Sequence, residues 1–350
     1  MQIAFDTSPI HNAHGYRGVG VYAKKLIEAL KAYNSKHSFS FFDSTSEAVP
    51  NADILHYPFF DPFFLTLPLL SLKCTVVTVH DLIPLTYPEH FKRGFRGTIK
   101  WMMQKYSLER KQGIITDSIS SKNDIVHVTR FEEDRVFVVP LAPSLEVIKE
   151  GEDQKISERS QKDFVNYFLA VGDVNWNKNI PGLLKAFAQV KKTESEPLKL
   201  ILVGKAYLQE ELPEVREIYS IIHALGIKNE VQMTGYIPDH VLIQTYKNAL
   251  ALIAPSYAEG FGFTVLDAMA IGCPVVCANA SSLKEIAGPS LLVDPYSADS
   301  IAQAMIRIIH MNSLDRRKQI KEGRTWSNQF TWREVAKKTI DAYEKILEQK

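Results

Sequence analysis

Short apolar runs and amphipathic stretches take turns along the whole chain. In the first half, Ile3–Asp6, Asp53–Tyr57, Thr75–Val79, Gly113–Asp117 and Val136–Val139 read as strands. In the second half, Tyr167–Val171, Leu198–Val203, Val231–Thr234, Leu250–Ala254, Val275–Ala278 and Leu291–Val293 do the same. Between them the period shifts to 3.6 residues. Leu26, Ile27 and Leu30 mark a helix over Val21–Tyr33, others cover Ser121–Thr129 and Thr264–Ile271, and one opens near Pro181. A Thr331-x-x-Glu334 capping box starts a last helix through Ala336, Ile340, Tyr343, Ile346 and Leu347. Strands that are apolar on both faces and alternate with helices predict parallel sheets covered on both sides, an α/β fold. The polar stretch Ser144–Asp163 interrupts the alternation and reads as a linker. The expected domains are therefore 1–150 and 164–328, with a C-terminal segment at 329–350.

Composition narrows the function. At 350 residues, 45% hydrophobic and 23% charged, the chain is an ordinary globular protein, and a net charge of +1 provides no global field for nucleic acid. Met-Gln-Ile-Ala-Phe-Asp6 reads as a strand with no basic leader region, and no apolar run approaches the roughly 18 residues of a spanning helix. Cys74, Cys273 and Cys277 read as small buried hydrophobes in a reducing compartment, so a cytoplasmic location is expected. No histidine cluster accompanies them, and no metal site is expected.

The densest chemistry is Glu259-Gly-Phe-Gly-Phe-Thr-Val-Leu-Asp267, between a strand and a helix stopped by Gly272. A carboxylate, two glycines and a helix N-terminus at the C-terminal edge of a parallel strand predict an anionic ligand. The loop His11–Gly20 follows the first strand with G-x-x-G-x-G spacing. The dinucleotide pattern G-x-G-x-x-G is absent, and ligand loop and flexible turn both remain open. His80, beside Asp81, ends another strand and faces a ligand crevice or serves a structural hydrogen bond. Residues 59–70, broken by Pro62 and Pro68, read as core packing or as an exposed hydrophobic lip. Residues 91–111 interleave seven Lys or Arg and a single Glu with Phe91, Phe95, Trp101, Met102 and Met103. That pattern suits a solvated helix with its other side in the core, or peripheral contact with an anionic membrane face.

These residues together resemble a family. The Glu259–Asp267 block is similar to the E-x7-E signature of retaining, nucleotide-sugar-dependent glycosyltransferases of family 4. Gly18-Val-Gly20-Val-Tyr, His80-Asp81-Leu-Ile-Pro, Val171-Gly-Asp-Val-Asn-Trp-Asn-Lys178-Asn, Thr234-Gly-Tyr-Ile-Pro, Pro274-Val-Val and Leu292-Val-Asp-Pro295 follow in the family's order. The resemblance implies the GT-B fold: two Rossmann-like domains facing a cleft, with the acceptor in the first, the donor in the second, and the last helix crossing back to the first. It implies Glu259, Lys178 and His80 as the catalytic set. Glu259 would contact hydroxyls of the transferred sugar, Lys178 the diphosphate, and His80 would lie near the sugar. Donor binding would add Gly18 and Gly20, Asn177, the amides of Gly260, Phe261, Gly262, Phe263 and Thr264, and Asp267 on the ribose. Two positions depart from the pattern. Asn177 stands where the family often has arginine, leaving Arg17 or Lys205 to compensate. Asp267 stands for the second glutamate and could instead cap a helix through Thr264-x-x-Asp267.

The implied activity is transfer of a hexose, such as mannose, from a nucleotide-sugar to a hydroxyl of a glycan or lipid-linked glycan, in polysaccharide assembly. No metal cofactor is implied, and GDP-mannose is the leading donor. A non-catalytic nucleotide-sugar-binding protein and a nucleotide-sugar epimerase are the alternatives on the same fold.

Overall fold

The computed structural model describes residues 1–11, 18–34, 36–69, 71, 73–146 and 165–349. Most of the predicted linker (147–163) and of the first glycine loop (12–17) lies outside them. The first 144 residues contain strands β1 (Gln2–Asp6), β2 (Ser38–Phe42), β3 (Ile54–Tyr57), β4 (Cys74–Thr78), β5 (Gly113–Thr116) and β6 (Val136–Val138). Among them run helices α1 (Ser8–His11), α2 (Gly18–Tyr33), α3 (Ile83–Thr86), α4 (Gly94–Leu108) and α5 (Ile119–Thr129). Residues 145–329 contain β7 (Asn166–Val171), β8 (Leu198–Val203), β9 (Val231–Gly235), β10 (Ala251–Ala254), β11 (Val275–Ala278) and β12 (Leu291–Val293). Their helices are α6 (Ile180–Thr193), α7 (Pro213–Leu225), α8 (Asp239–Asn248), α9 (Phe263–Ile271), α10 (Leu283–Ile286), α11 (Ala298–Ile309) and α12 (Ser313–Ser327), and α13 (Trp332–Glu348) follows.

The chain divides into two compact units, one of residues 1–144 with 330–350, the other of residues 145–329. Each holds one six-stranded parallel sheet, in the order β2-β1-β3-β4-β5-β6 and β12-β11-β10-β7-β8-β9. Each sheet is doubly wound. In the second unit the chain runs outward from β7 through β8 to β9, then restarts at β10 on the other side of β7. The crevice between β7 and β10 is thus its topological switch point, where such folds bind ligands.

Burial explains which strands the sequence displays. β3, β4 and β5 are buried along their whole length and carry the β-branched runs. The strand absent from the sequence reading is β2, Ser-Phe-Ser-Phe-Phe, an edge strand with only Phe42 buried. Its alternation is that of a half-exposed element, and its single neighbour is β1.

In the first unit α13 packs against α2 and β5. A Cβ on Gly113 would collide with Ile346 Cδ1, so the helix docks where the strand has no side chain. The expected N-terminal cap is present: the Thr331 hydroxyl accepts the Glu334 N–H at 3.2 Å. Tyr343 on α13 hydrogen-bonds to His56 Nδ1 at 2.5 Å, His56 Nε2 to the Thr78 hydroxyl at 2.8 Å, and Thr78 to the Tyr22 hydroxyl at 2.9 Å. All four side chains are buried. Satisfied buried networks of this kind specify one arrangement of the elements they join.

Residues 59–70 combine both expected characters. Phe60 and Leu67 are buried, while Phe64, Leu65 and Leu69 are exposed. The segment is strapped to α4: the Gln104 amide donates to the Asp61 and Phe64 carbonyls and the Thr66 hydroxyl, and the Ser107 hydroxyl and Lys111 ammonium donate to the Pro68 carbonyl. The opposite face of α4 presents Phe95, Ile99, Met102 and Tyr106, exposed at i, i+4, i+7 and i+11. The helix thus has one side in the core, where Leu108 and Trp101 pack, and it departs from the solvated-helix reading in two respects: polar Gln104 and Ser107 share that inner side, and Phe95, Ile99, Met102 and Tyr106 face outward. Among the described residues, no helix is long and apolar enough to cross a membrane.

Candidate functional site

In the second unit the sequence-predicted residues converge from two loops across the switch point. The loop after β7 carries Lys178, and the loop after β10 carries Glu259. Lys178 Nζ lies 2.7 Å from Glu259 Oε1 and 2.8 Å from Oε2, and the Ser256 hydroxyl donates to Oε1 at 2.7 Å. Gly172, beside the lysine stem, adopts φ 146°, a backbone that glycine accepts and other residues rarely do.

The loops are held by a residue outside the predicted set. Asn179 adopts a left-handed backbone (φ 53°) and caps α6, its Oδ1 accepting the Gly182 N–H at 3.1 Å. Its buried amide donates to the carbonyls of Pro255 (3.0 Å) and Pro295 (2.6 Å). One side chain thus ties the loops after β7, β10 and β12. Asn177 acts in a similar way. Its buried amide donates to the Ala258 carbonyl at 2.9 Å, and its backbone carbonyl accepts the Tyr257 N–H at 2.8 Å. The amide at the family's arginine position is thus turned inward, bracing the residue next to Glu259. From the other side, the hydroxyls of Ser281 (2.9 Å) and Ser282 (2.7 Å) donate to the Glu259 carbonyl.

Gly260 and Phe261 are buried, and Gly262 is the N-cap of α9 at φ 113°. A Cβ on Gly262 would fall 2.6 Å from Leu283 Cδ2, so both backbone and packing require glycine here. Gly262 offers no capping side chain, and the first N–H groups of α9, from Phe263 and Thr264, have no intrahelical acceptor. Thr264 lines a cavity of about 20 Å³ with Lys178, Glu259, Ser256, Asp173 and Tyr207. Asp267 lies inside α9, buried, and its Oδ1 accepts the Leu145 N–H at 3.0 Å. The capping-box reading of Thr264 and Asp267 is corrected: the helix starts one residue before Thr264, and Asp267 lies beyond the turn a cap serves.

In the first unit Gly18 and Gly20 form the first turn of α2, where a loop was expected, and the helix starts three residues before Val21. His80 follows β4 and is held by a partner that the sequence reading left isolated, Asp117 after β5. Nδ1 lies 2.6 Å from Asp117 Oδ2, and the Tyr22 ring meets the imidazole edge-on at 4.7 Å. Burial works against the charged ring, yet the Asp117 carboxylate and its hydrogen bond, with Asp81 and the Pro58 carbonyl, outweigh it and raise the His80 pKa. His80 Nε2 makes no hydrogen bond of good geometry among the described residues, although that carbonyl favours the charged ring. A histidine and a carboxylate ending neighbouring parallel strands, 37 residues apart, is the signal that could have found this pair.

The three cysteines are buried thiols, and burial pushes Cys273 and Cys277 up to about 12. Among the described residues no three His, Cys, Asp or Glu side chains converge as a metal site would require.

Comparison with known proteins gives the family and the fold. The family model described as glycosyl transferases group 1 matches residues 152–326, half of the chain. The O-antigen chain mannosyltransferase B of Escherichia coli is 28% identical over 277 residues, covering 78% of this chain and 70% of that protein. The O-antigen chain mannosyltransferase RfbU of Salmonella typhimurium is 30% identical over 248 residues, covering 69% of this chain and 62% of that protein. Among solved structures, a sucrose-phosphate synthase from Thermosynechococcus elongatus superposes over the full length of both chains with a TM-score of 0.74 at 19% identity. WaaG, a glycosyltransferase involved in lipopolysaccharide biosynthesis, gives 0.70 at 13% identity over 97% of this chain and 98% of that one. At such identities the structures speak to the fold, the α/β architecture of GT-B enzymes. With a matching family model over half its length, two doubly wound parallel sheets, and Lys178 and Glu259 meeting at the switch point of the second, this chain belongs to the group 1 glycosyl transferases.

Proposed function

We propose that the protein transfers mannose, with retention of configuration, from a nucleotide-sugar to a hydroxyl of a glycan or lipid-linked glycan in polysaccharide assembly. The observation that carries this reading is the convergence of Lys178 and Glu259 across the β7–β10 switch point. Departure of a nucleoside diphosphate builds negative charge on its oxygens. Lys178 and the first N–H groups of α9 are the groups that offset it. Glu259 takes hydroxyls of the transferred ring, Asp267 serves the ribose, and the departing phosphate takes the acceptor proton. No metal is needed in this scheme. In this reading the second unit holds the donor and the first the acceptor, with Gly18 and Gly20 as donor contacts and His80 near the transferred sugar.

Mannose is supported by the names of the two relatives, both mannosyltransferases of O-antigen chains, and GDP-mannose is the donor we propose with it. A lipid-borne acceptor suits the exposed apolar face of α4 with its Lys and Arg neighbours, so the protein works at the cytoplasmic face of a membrane as a peripheral component. Incubation with a panel of nucleotide-sugars and lipid-linked glycans is the test. Release of nucleotide diphosphate and an α-linked product from an α-linked donor is expected. A β-linked product refutes retention, and release of an isomerised sugar without acceptor refutes transfer.

A further inference from the structure

The two charged side chains at the edge of the second sheet are committed to each other. Both Glu259 oxygens lie within 2.8 Å of Lys178 Nζ, and the Ser256 hydroxyl occupies one of them as well. Side-chain exposures of 23% and 13% leave the pair only partly screened by water. The cavity they line, about 20 Å³, has room for about one water molecule. A phosphate group that takes over the ammonium draws it off the carboxylate, and it arrives beside a negative charge in doing so.

We infer that Glu259 is a built-in competitor for Lys178, which makes the site respond to a whole nucleotide-sugar and discriminate against the nucleotide diphosphate left after transfer. The inference rests on the proposed role of Lys178 as the diphosphate-binding cation. When a nucleotide-sugar enters, its phosphate oxygens take the ammonium while its sugar hydroxyls donate to the carboxylate oxygens that the ammonium has left. Both halves of the broken pair are then satisfied. When a nucleotide diphosphate enters alone, Lys178 again finds phosphate, but Glu259 keeps only the Ser256 hydroxyl and faces added negative charge. Stripping one partner from a partly buried ion pair penalises the charge left behind. The donor thus replaces every interaction it breaks, the spent nucleotide does not, and the pair re-forms as the product leaves.

Calorimetric titration of the wild type and of Glu259→Gln, with GDP and GDP-mannose and again with UDP and UDP-glucose, tests this. The wild type is expected to bind one nucleotide-sugar at least about tenfold more tightly than its diphosphate, a difference of about 1.4 kcal/mol. Glu259→Gln keeps the shape and removes the charge. It is expected to bind that diphosphate about tenfold more tightly than the wild type, to lose most of the preference for the sugar form, and to turn over more slowly. Unchanged or weaker diphosphate binding by Glu259→Gln overturns the inference while leaving the donor reading intact. The wild-type ratio needs no variant, and a ratio of one or below overturns the inference even if Glu259→Gln does not fold. Absence of binding for every nucleotide in the panel overturns the donor reading, and this inference with it.

Discussion

In the proposed reaction Lys178, with the first N–H groups of α9, offsets the charge that grows on the departing diphosphate. Lys178→Ala is expected to lower turnover by about 100-fold or more, as for loss of a transition-state charge partner, in a nucleotide-release assay at saturating donor. Near-wild-type turnover would remove it from the site. His56 is a residue-scale matter of another kind. Burial, with a smaller contribution from the charge on His80, pushes its pKa down to about 3. The unfolded chain takes up this proton below about pH 6.5, whereas the folded chain does so only near 3. Stability from His56 is therefore whole above pH 6.5 and drains away as the pH falls toward 3. His80, raised by its neighbours, runs the other way: its contribution is present below pH 6.5 and is lost as the pH rises through its folded value. In urea unfolding at pH 7 and pH 5, His56→Gln is expected to lose about 2 kcal/mol less than the wild type on acidification. Equal losses would show that His56 titrates in the fold as it does in the unfolded chain. Neither histidine's partner is a sequence neighbour, since Asp117 is 37 residues from His80 and Tyr343 is 287 from His56. Sequence reading finds the titratable residue and its strand edge; a parallel sheet decides what stands opposite.

Elements were legible in proportion to their burial. The core strands carry Val, Ile and Leu on both faces, so they are visible as runs, and α6, α9 and α13 show themselves by periodicity and end signals. β2 escaped because an edge strand needs no such run. At α4 the sequence displays the stripe Phe95, Ile99, Met102 and Tyr106 but not the side it takes. The hydrogen bonds of Gln104, Ser107 and Lys111 to the 61–68 backbone reveal that these polar groups share the inner side with Leu108 and Trp101. At 80% exposure for Phe95 and 66% for Met102, the outer face is the surface proposed to meet a membrane. Lys100 lies 4.9 Å over the Phe64 ring and Arg110 3.3 Å over Tyr106, so the cations are interleaved with the apolar groups. Flotation with vesicles containing anionic lipid at low salt is expected for the wild type and is expected to weaken at least severalfold for Phe95→Ser with Met102→Ser. Flotation that ignores both substitutions would place the membrane contact elsewhere. The donor-side loops show the same limit: Lys178 and Glu259 carry a recognisable pattern, while Asn179, which ties three loops, looks in sequence like an ordinary helix cap.

The molecule as a whole is two sheets with separate cores, and membership of those cores does not follow chain order. Val335, Ala336, Ile340, Tyr343 and Ile346 are buried in the unit that begins at residue 1. Truncation after Gln329 should therefore strip the first unit of one wall and leave His56 without its Tyr343 partner. Soluble yield and thermal unfolding are the readouts, with loss of the soluble protein or a drop in Tm of many degrees expected. A truncated chain that melts like the intact one would mean that α13 is dispensable packing.

The return of α13 also sets an order of events on the ribosome. Residues 145–329 are complete, as a unit, before α13 has been made, whereas residues 1–144 must wait for 330–350 although they emerged first. During synthesis the earlier unit is the later one to close, and until then its sheet and Gly113 remain bare where Ile346 will sit. A stalled or prematurely terminated message costs the oldest part of the chain its fold, while the youngest complete unit, carrying Lys178 and Glu259, is already assembled.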